Sequence, residues 1–167
     1  MWAEKQDSDE QFIKIYMQFK TPVYYLALSI LNDAALAEDI MQETFIRVRA
    51  NTHKYNSLDN IRTWIMKITR NLSYNCLRDR RFEILIDEQV ENDIRNTVNI
   101  DKVVTDSIMI NDLLQTLNDE EKQIFTLHVF GDYTHREISE IMNIPQGTVR
   151  WKYAIMKKTL RELLKKY

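Results

Sequence analysis

Apolar residues recur at three- and four-residue spacing along most of the chain, a pattern that predicts helices. Phe12, Ile13, Tyr16, Phe19, Val23, Leu26, Ala27 and Ile30 mark a first helical region over about 8–31, with Pro22 inside it as a place to kink or split. Asn32-Asp33 supplies a turn and a cap, and Leu36, Ala37, Ile40, Met41, Phe45 and Val48 share one face of a second helix over 34–49. The opposite face carries Asp39, Gln42, Glu43 and Ile46. An isoleucine among polar and acidic neighbours has two readings: an ordinary exposed apolar residue, or the centre of a protein interface with a polar rim.

Residues 51–60 have loop composition and hold one aromatic, Tyr55. A third helix is predicted over 61–81, burying Ile61, Trp64, Ile65, Ile68, Leu72 and Cys76. Across from that stripe stand Lys67, Arg70, Tyr74, Arg78 and Arg81. Cations with an interleaved ring suit single-stranded nucleic acid, with phosphates on the cations and unstacked bases on the ring. The same pattern fits a solvated basic face with Tyr74 half-buried.

From Phe82 to Thr105 the periodicity is weak and acidic residues are scattered through it, as in a linker. Two further helices, over 107–117 and 120–130, are divided at Asn118-Asp119, where Asn118 and Glu121 can form a capping box. Next, Thr134 and Glu137 make a second capping box, Ile138, Ile141 and Met142 an apolar stripe, and Asn143-Ile144-Pro145 a break before Gln146-Gly147-Thr148 restarts a helix. In that last helix Val149, Tyr153, Met156, Leu160, Leu163 and Leu164 fall on one side, leaving Arg150, Trp151, Lys152, Lys157, Lys158 and Arg161 outward. This is helix-turn-helix spacing. Residues opening the second helix of such a motif reach base edges while outer cations hold phosphates; a helical hairpin with a solvated basic face gives the same pattern.

Two glycines and two prolines in 167 residues favour helices over a turn-rich sheet. One cysteine, Cys76, excludes an internal disulfide, and no metal-ligand spacing, phosphate-binding glycine loop or nucleophile motif is present. His53, His128 and His135 are too far apart in sequence to form a site unless the fold assembles them. No apolar run of about 18 residues occurs, and the acidic amino terminus is unlike a signal peptide; a cytoplasmic protein is expected. The formal net charge of -2 conceals segregation. A basic block covers 57–81, an acidic one 83–121, and seven lysines and arginines from Arg150 onward face Glu162 alone.

Three stretches together resemble the extracytoplasmic-function group of bacterial sigma factors: DAALAEDIMQETFIRV at 33–48, RTWIMKITRNLSYNCLRDRR at 62–81, and the run from Leu117 to Leu164. Their most specific pieces are Ala37, Glu38, Asp39, Gln42, Glu43, Thr44 and Phe45; Trp64, Arg70 and Asn71; and EI.EI..IP.GTV before the last helix. The resemblance implies an all-α chain of two small helical domains joined by an acidic linker, the second a helix-turn-helix domain. It divides the chain into 1–82, which binds core polymerase and the minus-ten element; 83–104, the linker; and 105–167, which binds the minus-thirty-five element. It implies that Asp39, Gln42, Glu43 and Ile46 dock on the polymerase. Tyr55, Trp64, Lys67, Arg70, Asn71, Tyr74, Arg78 and Arg81 are implied to hold the opened strand and a flipped base, whose extrusion costs a few kcal/mol. Thr134, Gln146, Thr148, Arg150, Trp151, Lys152 and Lys157 are implied to contact the minus-thirty-five duplex. The implied partners are RNA polymerase core at its β′ clamp and β flap, promoter DNA, and an anti-sigma factor of a kind often anchored in the membrane. No cofactor, metal or small-molecule substrate is implied.

The last helix departs from the group's common GTVKSRLHRARKKL pattern: Trp151 replaces a small serine, Lys152 an arginine, and Ile155 another arginine. A lost arginine removes a bidentate contact to guanine, so promoter preference does not carry over. The expected function is an alternative sigma factor, not an enzyme, that recruits core polymerase to selected promoters and assists their melting. The alternatives are a conventional helix-turn-helix regulator with an amino-terminal sensor or dimerisation domain, and a helical adaptor without DNA function.

Overall fold

The computed structural model describes residues 2–51, 58–86 and 116–165. Among these there are six helices and no strand: α1 (Trp2–Leu31), α2 (Ala34–Asn51), α3 (Leu58–Ile86), α4 (Asp119–Val129), α5 (His135–Met142) and α6 (Gln146–Leu164). Of the helix predicted over 107–117 only residues 116 and 117 are described, and the join at 105 and linker residues 87–104 lie outside the described residues.

α1 runs unbroken through Pro22, which is buried within it, so the predicted split does not occur. Its end is set by Asn32, whose left-handed φ of 51° an asparagine tolerates and whose N–H donates to the Leu28 carbonyl at 2.9 Å. One residue later the Asp33 carboxylate accepts from the Leu36 N–H at 3.1 Å and starts α2. With so short a connection α1 and α2 pack side by side, and Phe45 takes the edges of Tyr16 at 4.8 Å and Phe12 at 6.4 Å. α3 closes on them through small hydroxyl residues: buried Thr44 donates to the Thr69 Oγ1 at 3.4 Å, and Thr69 and Ser73 back-bond to Ile65 and Thr69 carbonyls.

The carboxy-terminal helices follow their caps. Asn118 and Thr134 each head a capping box, with Glu121 and Glu137 reaching back to the cap N–H at 3.0 and 2.8 Å. Asn143, at φ 55° and ψ 46°, closes α5 in the left-handed conformation, and the Pro145 carbonyl then accepts from Thr148 and Val149 to begin α6. At the other end of α5's lead-in, a Cβ on Gly131 would sit 2.4 Å from the Tyr133 ring, so only glycine fits there.

The two halves do not keep separate cores. One apolar cluster runs from Ile15, Phe19, Val23 and Leu26 of α1, through Ile61 and Ile65 of α3, to Ile124, Leu127, Tyr133, Ile138, Val149 and Met156. Each fully buried aliphatic in it contributes about 1.5–3 kcal/mol relative to exposure. α4 lies along α1, where Phe130 stacks on Tyr25 with ring centres 4.2 Å apart and planes 12° from parallel. Met66, Thr69 and Ser73, buried on α3 outside the predicted stripe, show that this helix is covered on more than one side.

Candidate nucleic-acid interface

By helical spacing Trp64, Lys67, Arg70, Asn71, Tyr74, Arg78 and Arg81 share one broad face of α3. Lys67, Asn71, Arg78 and Arg81 are exposed, whereas Trp64 is half-buried against the apolar cluster. Arg70 and Tyr74 are held together: the guanidinium lies 4.8 Å from the Tyr74 ring centre. Both are also held by the other half of the molecule. Gln123 of α4, with no exposed surface, accepts from the Arg70 Nε–H at 3.1 Å and donates to the Tyr74 hydroxyl at 2.9 Å. Its amide also donates to the Asp119 carbonyl at 3.1 Å, which fixes its orientation. Beside this bridge a cavity of about 460 Å³ is lined by Ile30, Tyr74, Leu77, Arg78, Arg81, Asp119 and Gln123. Two arginines and a ring line this cavity, groups whose chemistry can hold a phosphate and stack a base, and α4 walls one side of it. Tyr55 lies outside the described residues.

A second link holds the halves together. Arg62, in the first turns of α3, donates to the Asp132 carbonyl at 3.1 Å and the Gly131 carbonyl at 3.4 Å, and its Nε lies 3.4 Å from Glu137 Oε1. Its guanidinium covers the Tyr133 ring at 4.6 Å, and the Tyr133 hydroxyl donates to the Arg62 carbonyl at 3.2 Å. Burial raises the Tyr133 hydroxyl well above the ordinary tyrosine range. Burial also pushes the Glu137 carboxyl up, but hydrogen bonds from Thr134 and the charge of Arg62 outweigh it and leave Glu137 below the ordinary value. Sequence reasoning placed Arg62 only in a basic block and gave Gln123 and Tyr133 no role. A glutamine on an apolar helix face carries no signal of its partners.

On the helix-turn-helix, Thr134 serves as the α5 cap, with Gln146 and Thr148 half-buried at the start of α6. Arg150, Trp151, Lys157, Lys158 and Arg161 are exposed as expected. Lys152 is not outward: its side chain is 14% exposed and its Nζ pairs with Glu120 of α4 at 3.1 Å. The reason is that α4 crosses beside α6 and brings an acidic amino terminus to it. The fold does bring His128 and His135 together, 5.6 Å between ring centres, packed around Tyr153. His135 Nε2 is buried without a partner, and burial, with His128 and Arg150 nearby, lowers its pKa. Among the described residues no group of three or more His, Cys, Asp or Glu side chains could hold a metal; His53 lies outside them.

The outer face of α2 presents Asp39, Gln42 and Ile46 to solvent, Ile46 at 63% exposure, while Glu43 pairs with Arg47 at 2.8 Å. Gln42 also borders a groove of about 260 Å³ with Lys20, Thr21, Tyr24, Tyr25, Glu38 and Met41. Two apolar residues one turn apart on α1, Ile13 and Met17, are exposed, although helical spacing groups Ile13 with the buried stripe. Among the described residues no helix is long and apolar enough to cross a membrane.

The model of sigma-70 region 2 matches residues 15–83, and that of sigma-70 region 4 matches residues 107–153. Similar curated proteins include the ECF RNA polymerase sigma factor SigW of Bacillus subtilis, 26% identical over 96% of this chain and 92% of its own length. SigM of the same organism is 27% identical over 82% of this chain and 85% of its own. SigL of Mycobacterium tuberculosis is 26% identical, covering 89% and 88%. The fold is similar to the sigma factor RpoE of Bartonella quintana, solved with its anti-sigma factor NepR: TM-score 0.73, 20% identity, 93% of this chain and 98% of that one. It is also similar to CnrH, solved with the cytosolic domain of CnrY, at TM-score 0.59 and 13% identity, covering 94% and 89%.

Proposed function

The chain belongs to the extracytoplasmic-function group of RNA polymerase sigma factors, and from that premise we propose which surfaces do the work of an alternative sigma factor that directs RNA polymerase to promoters. Residues 1–82 form the unit for core polymerase and the minus-ten element, 83–104 the linker, and 105–167 the unit for the minus-thirty-five element. Ile46, ringed by Asp39, Gln42 and Glu43, docks on the polymerase. Lys67, Arg70, Asn71, Tyr74, Arg78 and Arg81, together with Trp64 and Tyr55, take the opened strand. The first turns of α6 enter the major groove of the upstream duplex. The polymerase supplies the chemistry, and the protein works in the cytoplasm.

The observation that carries this reading is the Arg70–Tyr74 pair: a cation seated on a ring, on a basic helix, beside a cavity. Such a pair can stack an unpaired base and neutralise its phosphate at once. It is engaged by Gln123, so promoter opening requires α4 to leave α3. A restraining partner, an anti-sigma factor, fits a chain whose fold is similar to that of RpoE, solved in complex with the anti-sigma factor NepR. The conventional operator-reader alternative gives way, because the amino-terminal half matches a sigma region and not a sensor.

The test is reconstitution with purified core polymerase. The expected result is promoter-dependent transcription, with Arg70→Ala and Tyr74→Ala impairing strand opening more than duplex binding. Failure to bind core, or equal losses in both steps, would refute the assignment.

A further inference from the structure

We propose that α6 reads its promoter element mainly by apolar contact with thymine 5-methyl groups, through a stripe made of Trp151, Ala154 and Ile155; this rests on the promoter-binding reading of α6. Trp151 is 62% exposed and Ile155, one turn further, 38% exposed, with Ala154 exposed between them. Residues four apart lie on one face, so the three make a continuous apolar strip near the start of the helix, where base edges are reached. One turn earlier, Gly147 has open space on every side that a Cβ would face, so the bare backbone can approach a surface closely.

The cations define what this strip is for. Lys152 is tied to Glu120, and Lys157 lies 5.8 Å over the Tyr153 ring; both are lysines, which lack the planar fork with which arginine grips a guanine. Arg150, near the helix start, is exposed beside the strip. With Lys158 and Arg161 exposed further along, the strip is flanked by positive charge. That rim favours a polyanion over a protein, whose docking face would need to be acidic. In the major groove thymine is the base that displays an apolar group, its 5-methyl. A tryptophan and an isoleucine therefore find thymines, not guanines, as their partners.

The test uses the full-length protein assembled with core polymerase. Duplexes randomised over the upstream element are selected for binding, and each recurrent thymine is then replaced by deoxyuridine, which removes the methyl and nothing else. The expected outcome is thymine enrichment at two or more positions and a weakening of about fourfold for each methyl removed, the ratio equivalent to burying one CH₂-sized group at ~0.8 kcal/mol. Trp151→Ala should abolish that sensitivity at one position and Ile155→Ala at another, each with unchanged helical content. A selected element without thymine, an unchanged affinity on deoxyuridine substitution, or a methyl dependence that survives both variants would overturn the inference. So would loss of core binding rather than of DNA affinity in Trp151→Ala, which would make the strip a protein contact. A holoenzyme that fails to form, or selects no sequence, refutes instead the sigma reading beneath it.

Discussion

Arg70 of α3 donates its Nε–H to the side-chain oxygen of Gln123 in α4 at 3.1 Å, across 53 positions of sequence. The cation proposed to take the opened strand is thereby held by the half of the molecule proposed to bind duplex DNA. A hydrogen bond to a charged group is worth about 1.5–3 kcal/mol, enough to bias the molecule toward the closed arrangement without locking it.

Gln123→Ala removes this bridge and the one to Tyr74. If closure opposes assembly, the fraction of open protein rises and apparent affinity for core polymerase improves by about tenfold, as expected for relieving roughly 1–1.5 kcal/mol of closure. Titration of core with labelled protein measures this. Equal affinities would show that the bridge does not restrain assembly.

Arg62→Ala should weaken the contact between the halves more than any surface change, because one guanidinium serves two carbonyls, a carboxylate and a ring. The pair with Glu137 retains some solvent, so the cost is discounted to on the order of 2 kcal/mol. Denaturant titration should show a lower midpoint. Arg62→Lys keeps the charge but not the fork and should recover less than half of the loss.

Ile46→Glu and Asp39→Lys change exposed positions on α2. Thermal stability should stay within about 0.5 kcal/mol of the parent, as for surface substitutions generally. Core affinity should fall at least tenfold in each. Retained affinity in both would remove this face from the docking surface.

Acid should destabilise the helix-turn-helix in two steps. His135 has a lowered pKa in the fold, so below the ordinary histidine value the unfolded chain takes up a proton that the folded one resists, and stability declines as pH falls from there. Glu137, also lowered, stabilises above the ordinary carboxylate value and loses that contribution as pH falls through its own pKa. Melting curves of the parent and His135→Gln between pH 7 and 5 should converge at the acid end. A parallel decline would exclude His135 as the first group.

Much of this was legible locally. The capping residues Asn118 and Thr134 and the break at Asn143-Ile144-Pro145 located α4, α5 and α6 to within a residue or two, since caps and turns depend on neighbours in sequence. The exposure of Ile46, Arg150 and Trp151 followed from helical spacing in the same way. Pro22 misled, because a proline that breaks an isolated helix is tolerated where α1 is packed on several sides. Lys152 misled for the opposite reason: its neighbour Glu120 is distant in sequence.

By itself, then, the sequence determined the six described helices, their caps, the segregation of charge and the family, all of which rest on interactions within a few residues or on motif order. The tertiary structure alone decided that Phe130 stacks on Tyr25, that Arg62 clasps the turn at Gly131 and Asp132, and that Gln123 occupies the Arg70–Tyr74 pair. Those contacts join residues scores of positions apart, and their partners are fixed by how whole helices pack, which no local pattern of apolar and polar positions encodes.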